Sequence, residues 1–129
     1  MLKVYVIGAY ESSPAVRLLH TRLRMAGHEP TSSWAEEATG PEDLTALSTA
    51  ECRAIWSRND KDMRDADVVI VLADTNTREG WMEAQRAVAL GGVQIICIGR
   101  PTLTLRAWTD GVRIVADVDA ALRALEVQP

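Results

Sequence analysis

Asp67-Val68-Val69-Ile70-Val71-Leu72-Ala73 is the stretch whose reading decides the fold. Beyond its first residue it is continuous in valine, isoleucine, leucine and alanine. A short apolar run without polar alternation suits a strand covered on both faces, at the centre of a parallel sheet. The chain on either side supports that reading. Downstream lie a helix from about Arg78 to Leu90, a strand from Val93 to Ile98, and a loop from Gly99 to Gly111 containing Pro101 and Trp108. A short strand, Val112 to Val115, and a helix, Val118 to Leu125, follow.

Upstream, the first strand runs from Leu2 to Ile7 and Gly8 closes it. Ser13 is placed to cap a helix with Pro14 at its first position, Ala15, Leu19, Leu23 and Ala26 on the buried face, and Gly27 at its end. A weaker strand spans Pro30 to Trp34, and Ala35 to Pro41 reads as a loop. Pro41 opens a helical region whose apolar positions are Leu44, Leu47, Cys52, Ile55 and Met63. Strands alternating with amphipathic helices give one α/β domain over residues 1–129. It is doubly wound, with a parallel sheet of about five strands and helices on both faces, flavodoxin-like or Rossmann-like.

Bulk composition narrows the function. The 129 residues suit a single domain, and 47% hydrophobic content is that of a globular chain. A net charge of -4 argues against binding a nucleic acid polymer. Cys52 and Cys97 are too few for a disulfide scaffold and lack metal-ligand spacing; Cys97 reads as a buried strand residue. His20 and His28 have no second ligand at useful spacing, so no metal and no cofactor is expected. The sequence enters its first strand directly, without a signal peptide or membrane-spanning run, which points to a cytoplasmic protein and no membrane partner.

In doubly wound sheets the ligand sits at the carboxyl ends of the strands, beside the switch in strand order. Three segments therefore matter: Gly8 to Ser13, Asp74 to Glu83, and Gly99 to Trp108. In the second, Asp74 ends the central strand, and Asn76 or Thr77 caps the next helix. Asn76 with Glu79 three residues on resembles a capping box. Glu83 lies one turn further in, where the helix dipole favours an ionised carboxylate, as a nucleophile requires.

Trp81-Met-Glu-Ala-Gln-Arg-Ala-Val-Ala-Leu-Gly91 resembles the signature of the nucleoside 2-deoxyribosyltransferase family, which includes related nucleoside 5′-monophosphate N-glycosidases. Ala66-Asp67-Val-Val-Ile-Val71 is similar to the family's alanine-aspartate-strand element, with Glu83 at the family's interval of sixteen residues beyond the aspartate. Lys3 to Tyr10 resembles the first strand and base-binding loop, and Gly27 to Trp34 the second-strand region. The resemblance implies that Glu83 attacks the anomeric carbon and that water or a second base resolves the glycosyl-enzyme.

It also implies an acid eight residues ahead of Asp67. That position is Asn59, with Asp60 beside it. An asparagine hydrogen-bonds but cannot transfer a proton. Either a one-residue slip brings Asp60 into place, or the chain lacks that acid. Gln85 stands where family members carry glycine, and a bulkier side chain there could reshape or obstruct the sugar pocket.

Gly8 and Tyr10 belong to the base-binding loop of the resemblance. Tyr10 and Trp81 are candidates for stacking on a base. Thr77 aligns with a hydroxyl position that contacts sugar or phosphate in related hydrolases, and Asp74 lies at the same strand end. Ser12 and Ser13 offer backbone N–H groups to a 5′-phosphate, with Glu11 opposing it and Arg17 offsetting Glu11. Nucleoside and nucleotide both stay open as substrates. Family members form dimers or larger assemblies, which implies a homo-oligomer, with Trp56 and Trp108 as candidate interface residues. Two rivals keep the fold: a non-catalytic nucleotide-binding protein, and a hydrolase of NAD-like nucleotides. A phosphoacceptor receiver lacks its acidic cluster here. Gly8-Ala-Tyr-Glu-Ser-Ser13 lacks the glycine spacing of a dinucleotide oxidoreductase.

Overall fold

The computed structural model describes residues 1–37, 47–101 and 111–126. Its strands are β1 (Lys3–Ile7), β2 (Glu29–Pro30), β3 (Val68–Leu72), β4 (Gln94–Ile98) and β5 (Val112–Val115). Its helices are α1 (Ser13–Met25), α2 (Ser33–Glu37), α3 (Thr49–Arg64), α4 (Arg78–Leu90) and α5 (Val118–Glu126). All pairings are parallel and the strand order is β2-β1-β3-β4-β5, the flavodoxin-like arrangement. Val4–Ile7 lie opposite Val68–Val71, and Val68–Leu72 opposite Gln94–Ile98.

Alternation along the strands divides the core into two layers. Tyr5, Ile7, Val69 and Val71 pack with Met63 of α3 and with Ala84 and Ala87 of α4. Val4, Val6, Val68 and Ile70 pack with Leu19 and Leu23 of α1 and with Ala121 and Leu125 of α5. Because β3 is covered on both faces, Val68 to Val71 are all buried. Each such aliphatic side chain contributes roughly 1.5–3 kcal/mol of transfer free energy.

The second strand is shorter than its sequence suggests. Beyond Thr31, whose N–H donates to the Val4 carbonyl at 2.8 Å, side chains take over the edge of β1. The Ser32 hydroxyl accepts from the Val6 N–H at 3.1 Å, and the Trp34 indole N–H donates to the Val6 carbonyl at 3.1 Å. The backbone of residues 33–37 is thereby released to form α2, where a strand end and a loop are expected. Ser33 and Thr31 hold this corner to α3 through the Asp62 carboxylate and carbonyl.

Other boundaries also move. A short 3-10 turn at Tyr10–Ser12 leads into α1, so Ser13 begins the helix without capping it. The buried face of α1 is Ser13, Val16, Leu19, His20 and Leu23, leaving Ala15 and Ala26 exposed. In α3, Ser48 and Glu51 form a capping box, and Met63 is core, whereas Cys52 and Ile55 stay outside it. The expected helix start at Pro41, with Leu44, and the loop containing Trp108 lie outside the described residues.

Thr77, not Asn76, caps α4, its hydroxyl accepting from the Gly80 N–H at 3.3 Å. Asn76 instead accepts from the Thr77 N–H at 3.0 Å. A Cβ on Gly80 would stand 1.7 Å from Asn76 Oδ1. Alanine improves helix propensity by at most about 1 kcal/mol, less than the cost of displacing the turn. Gly80→Ala should therefore lower stability, by about 1–3 kcal/mol in denaturant titrations.

His20 is fully buried between Glu36 and the Ser32 hydroxyl, each 2.7 Å from a ring nitrogen. Burial lowers its pKa below the usual 6.5 even though Glu36 opposes the shift. The unfolded chain therefore takes up a proton that the folded one resists. Stability from this group is complete above the unfolded value and declines as pH falls through it. The Glu36 carboxyl, lowered by its bonds to His20 and Arg24, adds a further loss at more acidic pH. Melting curves from roughly pH 7.5 to 5.5 should show this fall, and His20→Gln, which does not titrate, should flatten it.

Candidate active site

The strand order reverses at β1, which has β2 on one side and β3 on the other. The loops leaving the carboxyl ends of β1 and β3 diverge there, and between them lies a cleft of about 560 Å³. From the β1 side it is lined by Tyr5, Ile7, Gly8, Tyr10 and Glu11. Across it stand Thr77, Glu79, Gly80 and Glu83 of the α4 segment, and α3 contributes Ile55, Arg58 and Asn59. Trp34 and Glu37 of α2 close one side.

Glu83 is half-buried, and removal from water raises its pKa above the ordinary carboxylate value. A hydrogen-bonding interaction with the Tyr5 hydroxyl opposes the rise, and the negative charge of Asp60 adds to it. Tyr5 itself is fully buried. Its phenol is driven far above its usual range, first by burial and then by the charge of Glu83. Its hydroxyl has no well-formed partner within ordinary hydrogen-bond geometry. Both side chains line the cleft, and among the described residues the hydroxyl is not held in a finished bond. Asn59 Oδ1 and Arg58 Nε are likewise buried without partners among the described residues.

Of the residues singled out in the sequence, Gly8, Tyr10, Asn59, Thr77 and Glu83 meet in this cleft. Asp60, Ser13, Trp81 and Asp74 stand outside it. Asp60 is 5% exposed and its carboxylate binds the Arg86 guanidinium through both oxygens, with Arg64 at 3.0 Å. The Arg86 bond above all holds it below the ordinary aspartate range. Ser13 is buried, and its hydroxyl accepts from Arg17 at 3.4 Å. Trp81 packs partly buried against the core layer under α4. Asp74 is exposed in the turn after β3, opposite Gly99, where a Cβ would come within 2.9 Å of its Oδ1. Glu79 is free of the expected capping box and faces the cleft instead.

An apolar groove of about 840 Å³ between α3 and α4 adjoins the cleft, sharing Asn59, Glu79 and Glu83 with it. Trp56, Met82 and Leu90 line it, and Arg86 lies 5.3 Å over the Trp56 ring. Gln85 is exposed and lines this groove, as Glu83 also does, but it does not line the cleft.

Tyr5, Trp34, Arg58 and Glu37 were not legible as site residues, because Tyr5 sits in an apolar strand and the other three in polar stretches without a motif. For Tyr5 a signal existed: a tyrosine within a buried strand must find a use for its hydroxyl. The arrangement offers a half-buried carboxylate, a neighbouring phenol hydroxyl, an amide, a threonine hydroxyl and two further aromatic side chains.

No protein-family model matches the chain, and no curated protein does. Solved structures do. A 2-deoxyribosyltransferase from the psychrotolerant bacterium Bacillus psychrosaccharolyticus superposes with a TM-score of 0.67 at 16% identity, over 93% of this chain and 90% of its own. A CMP N-glycosidase from Clostridium botulinum gives 0.61 at 15% identity, over 98% and 99%. The chain therefore has, along almost its whole length, the flavodoxin-like fold of the nucleoside deoxyribosyltransferases.

Proposed function

We propose that this protein cleaves the N-glycosidic bond of a nucleoside-type substrate, with Glu83 as the nucleophile. The observation that carries the reading is the place of Glu83: half-buried beside the Tyr5 hydroxyl, in a cleft at the switch point of the sheet. The two structural neighbours, a deoxyribosyltransferase and an N-glycosidase, support it. A Glu83 oxygen forms a bond to the anomeric carbon as the carbon–nitrogen bond breaks, and the electron pair leaves on the base, which takes up a proton from solvent water. Water or a second base then displaces Glu83, as in retaining glycoside hydrolysis. Tyr10 and Trp34 offer faces for the base, and Thr77 and Asn59 offer hydrogen bonds to the sugar. Asp60 serves in this reading as the partner of Arg86, not as the proton donor.

That last point favours one alternative, a binding protein on the same fold without turnover. Asn59 has no proton to give, and Asp60 is kept ionised by two arginines. The exposed stripe of Trp56, Met82 and Leu90 supports a homo-oligomer. The free thiols of Cys52 and Cys97 suit a cytoplasmic setting.

Chromatography of free base from a panel of nucleosides, their 5′-monophosphates and NAD tests the reading. Glu83→Gln should cut base release at least about a thousandfold while leaving the melting temperature near that of the parent. Absence of base release by the parent protein would leave the binding alternative. The Tyr5 hydroxyl favours the ionised carboxylate, so Tyr5→Phe should raise the Glu83 pKa further. Since the ionised form is the nucleophile, the acid limb of the kcat/KM profile should move to higher pH in that variant.

A further inference from the structure

The wall of the cleft formed by α2 has its own support, on the side away from Glu83. At five residues, Ser33–Glu37, this helix is too short to hold its shape alone. It is held from outside. The Ser33 hydroxyl bonds the Asp62 carboxylate, the Trp34 indole N–H donates to the Val6 carbonyl, and the Ala35 carbonyl accepts from Arg17. Glu36 binds His20 and Arg24, and Glu37 binds Arg58. His20 is the fully buried side chain among these partners, and it also bonds Ser32, the residue before the helix. Trp34 and Glu37 line the cleft.

The bonds around His20 run in one direction. The Val6 N–H donates to Ser32 Oγ, so the Ser32 hydrogen is free to go to Nε2 of His20. The Glu36 carboxylate only accepts, which puts the ring proton on Nδ1. Neutral His20 thus satisfies both neighbours. A second proton, on Nε2, reverses the Ser32 bond. Oγ then accepts from both Val6 and His20, and the Ser32 hydrogen loses its acceptor inside the fold. The charge itself is offset by Glu36 on α2 and opposed by Arg24 on α1. Ser32 and Trp34 bond the N–H and the carbonyl of one residue, Val6, so a disturbance at Ser32 falls on the attachment of Trp34.

We propose that His20 is a positioning residue for the cleft: its neutral ring clamps α2 to β1 with Trp34 and Glu37 in the wall, and a proton on the ring releases that wall. The part played by the wall in substrate binding rests on the proposed function. The clamp itself does not.

The test is hydrogen exchange of the Trp34 indole N–H, followed by NMR on the protein without ligand and assigned by the signal lost in Trp34→Phe. Its protection is compared with that of the Val69 backbone N–H, in the centre of β3, from roughly pH 7.5 to 5.5 and at several low urea concentrations. Trp34 should open locally, with less protection and a smaller urea slope than Val69. Once the wall is open His20 titrates near its ordinary 6.5, so the protection of Trp34 should fall by up to about tenfold over this range. His20→Gln, which does not titrate, should abolish that fall. Glu36→Gln exchanges a charge-assisted bond at an exposed position for a neutral one, and should lower Trp34 protection even at neutral pH.

Base release is measured beside it on the panel substrate that the parent cleaves fastest. There His20→Gln should raise KM severalfold and leave kcat near the parent's, as loss of binding contacts requires. Exchange of Trp34 with the protection and urea slope of Val69 overturns the inference, since α2 then leaves only with the whole fold. A local opening whose pH dependence survives in His20→Gln overturns it too, as does Trp34 protection untouched by Glu36→Gln. If the clamp behaves as expected and KM does not move, His20 serves the fold alone and its role at the cleft falls. If the parent releases no base, the glycosidic reading falls and the exchange results decide the clamp by themselves.

Discussion

The parallel pairing of Val4–Ile7 with Val68–Val71 is the constraint on which the rest depends. It joins two segments more than sixty residues apart and makes β1 the strand at which the sheet order turns. A parallel pair cannot be closed by a hairpin, so each strand must send its chain out over the sheet. The carboxyl ends of β1 and β3 therefore point the same way while their loops separate. The opening that results holds Gly8 and Tyr10 on one side and Thr77 and Glu83 on the other. Asp67 secures the far end of the same pair: its backbone N–H donates to the Lys3 carbonyl at 2.8 Å, and its carboxylate accepts from the Lys3 N–H at 2.9 Å. Asp67 thus stands at the opposite end of β3 from the cleft, a structural latch for the strands that position Glu83.

Electrostatic tension concentrates at the cleft. Burial works against the Glu83 charge, and the nearby Tyr5 hydroxyl favours it. Asp60, one residue past Asn59, would add a second uncompensated charge if Arg86 and Arg64 did not bind it. Arg86 projects from α4 and Asp60 from α3, so the same ion pair that neutralises the carboxylate also ties the two helices that flank Glu83. Removing either partner would leave a charge beside the site without its counter-ion, which costs more than the pair gains. The two carboxyl groups are thereby pushed in opposite directions, Glu83 above its ordinary pKa and Asp60 below.

Much of this was legible in the sequence. The run at Val68 to Leu72 announced a central strand because burial on both faces permits no polar residue. The bounds of α4 followed from its apolar period and from Gly91, whose φ of 68° ends the helix. Where side chains replaced backbone as hydrogen-bonding partners, reading failed: Ser32 and Trp34 complete the edge of β1 and turn an expected strand into a helix. The choice between Asn59 and Asp60 was likewise out of reach. Neighbouring helix positions differ by about 100° in direction. Only the packing of α3 against α4 shows that one faces the cleft and the other Arg86.

By itself, then, the sequence determined the α/β class, the central strand, the helix carrying Glu83 and two of the segments that border the cleft, those after β1 and β3. Those properties arise from local periodicity and from the need to bury apolar residues, and both are written along the chain. Tertiary structure alone decided that Tyr5 and Glu83 line one cleft and that Asp60 is locked by arginines. Each depends on the direction in which a side chain leaves an element and on what the fold brings opposite it, information that no single segment contains.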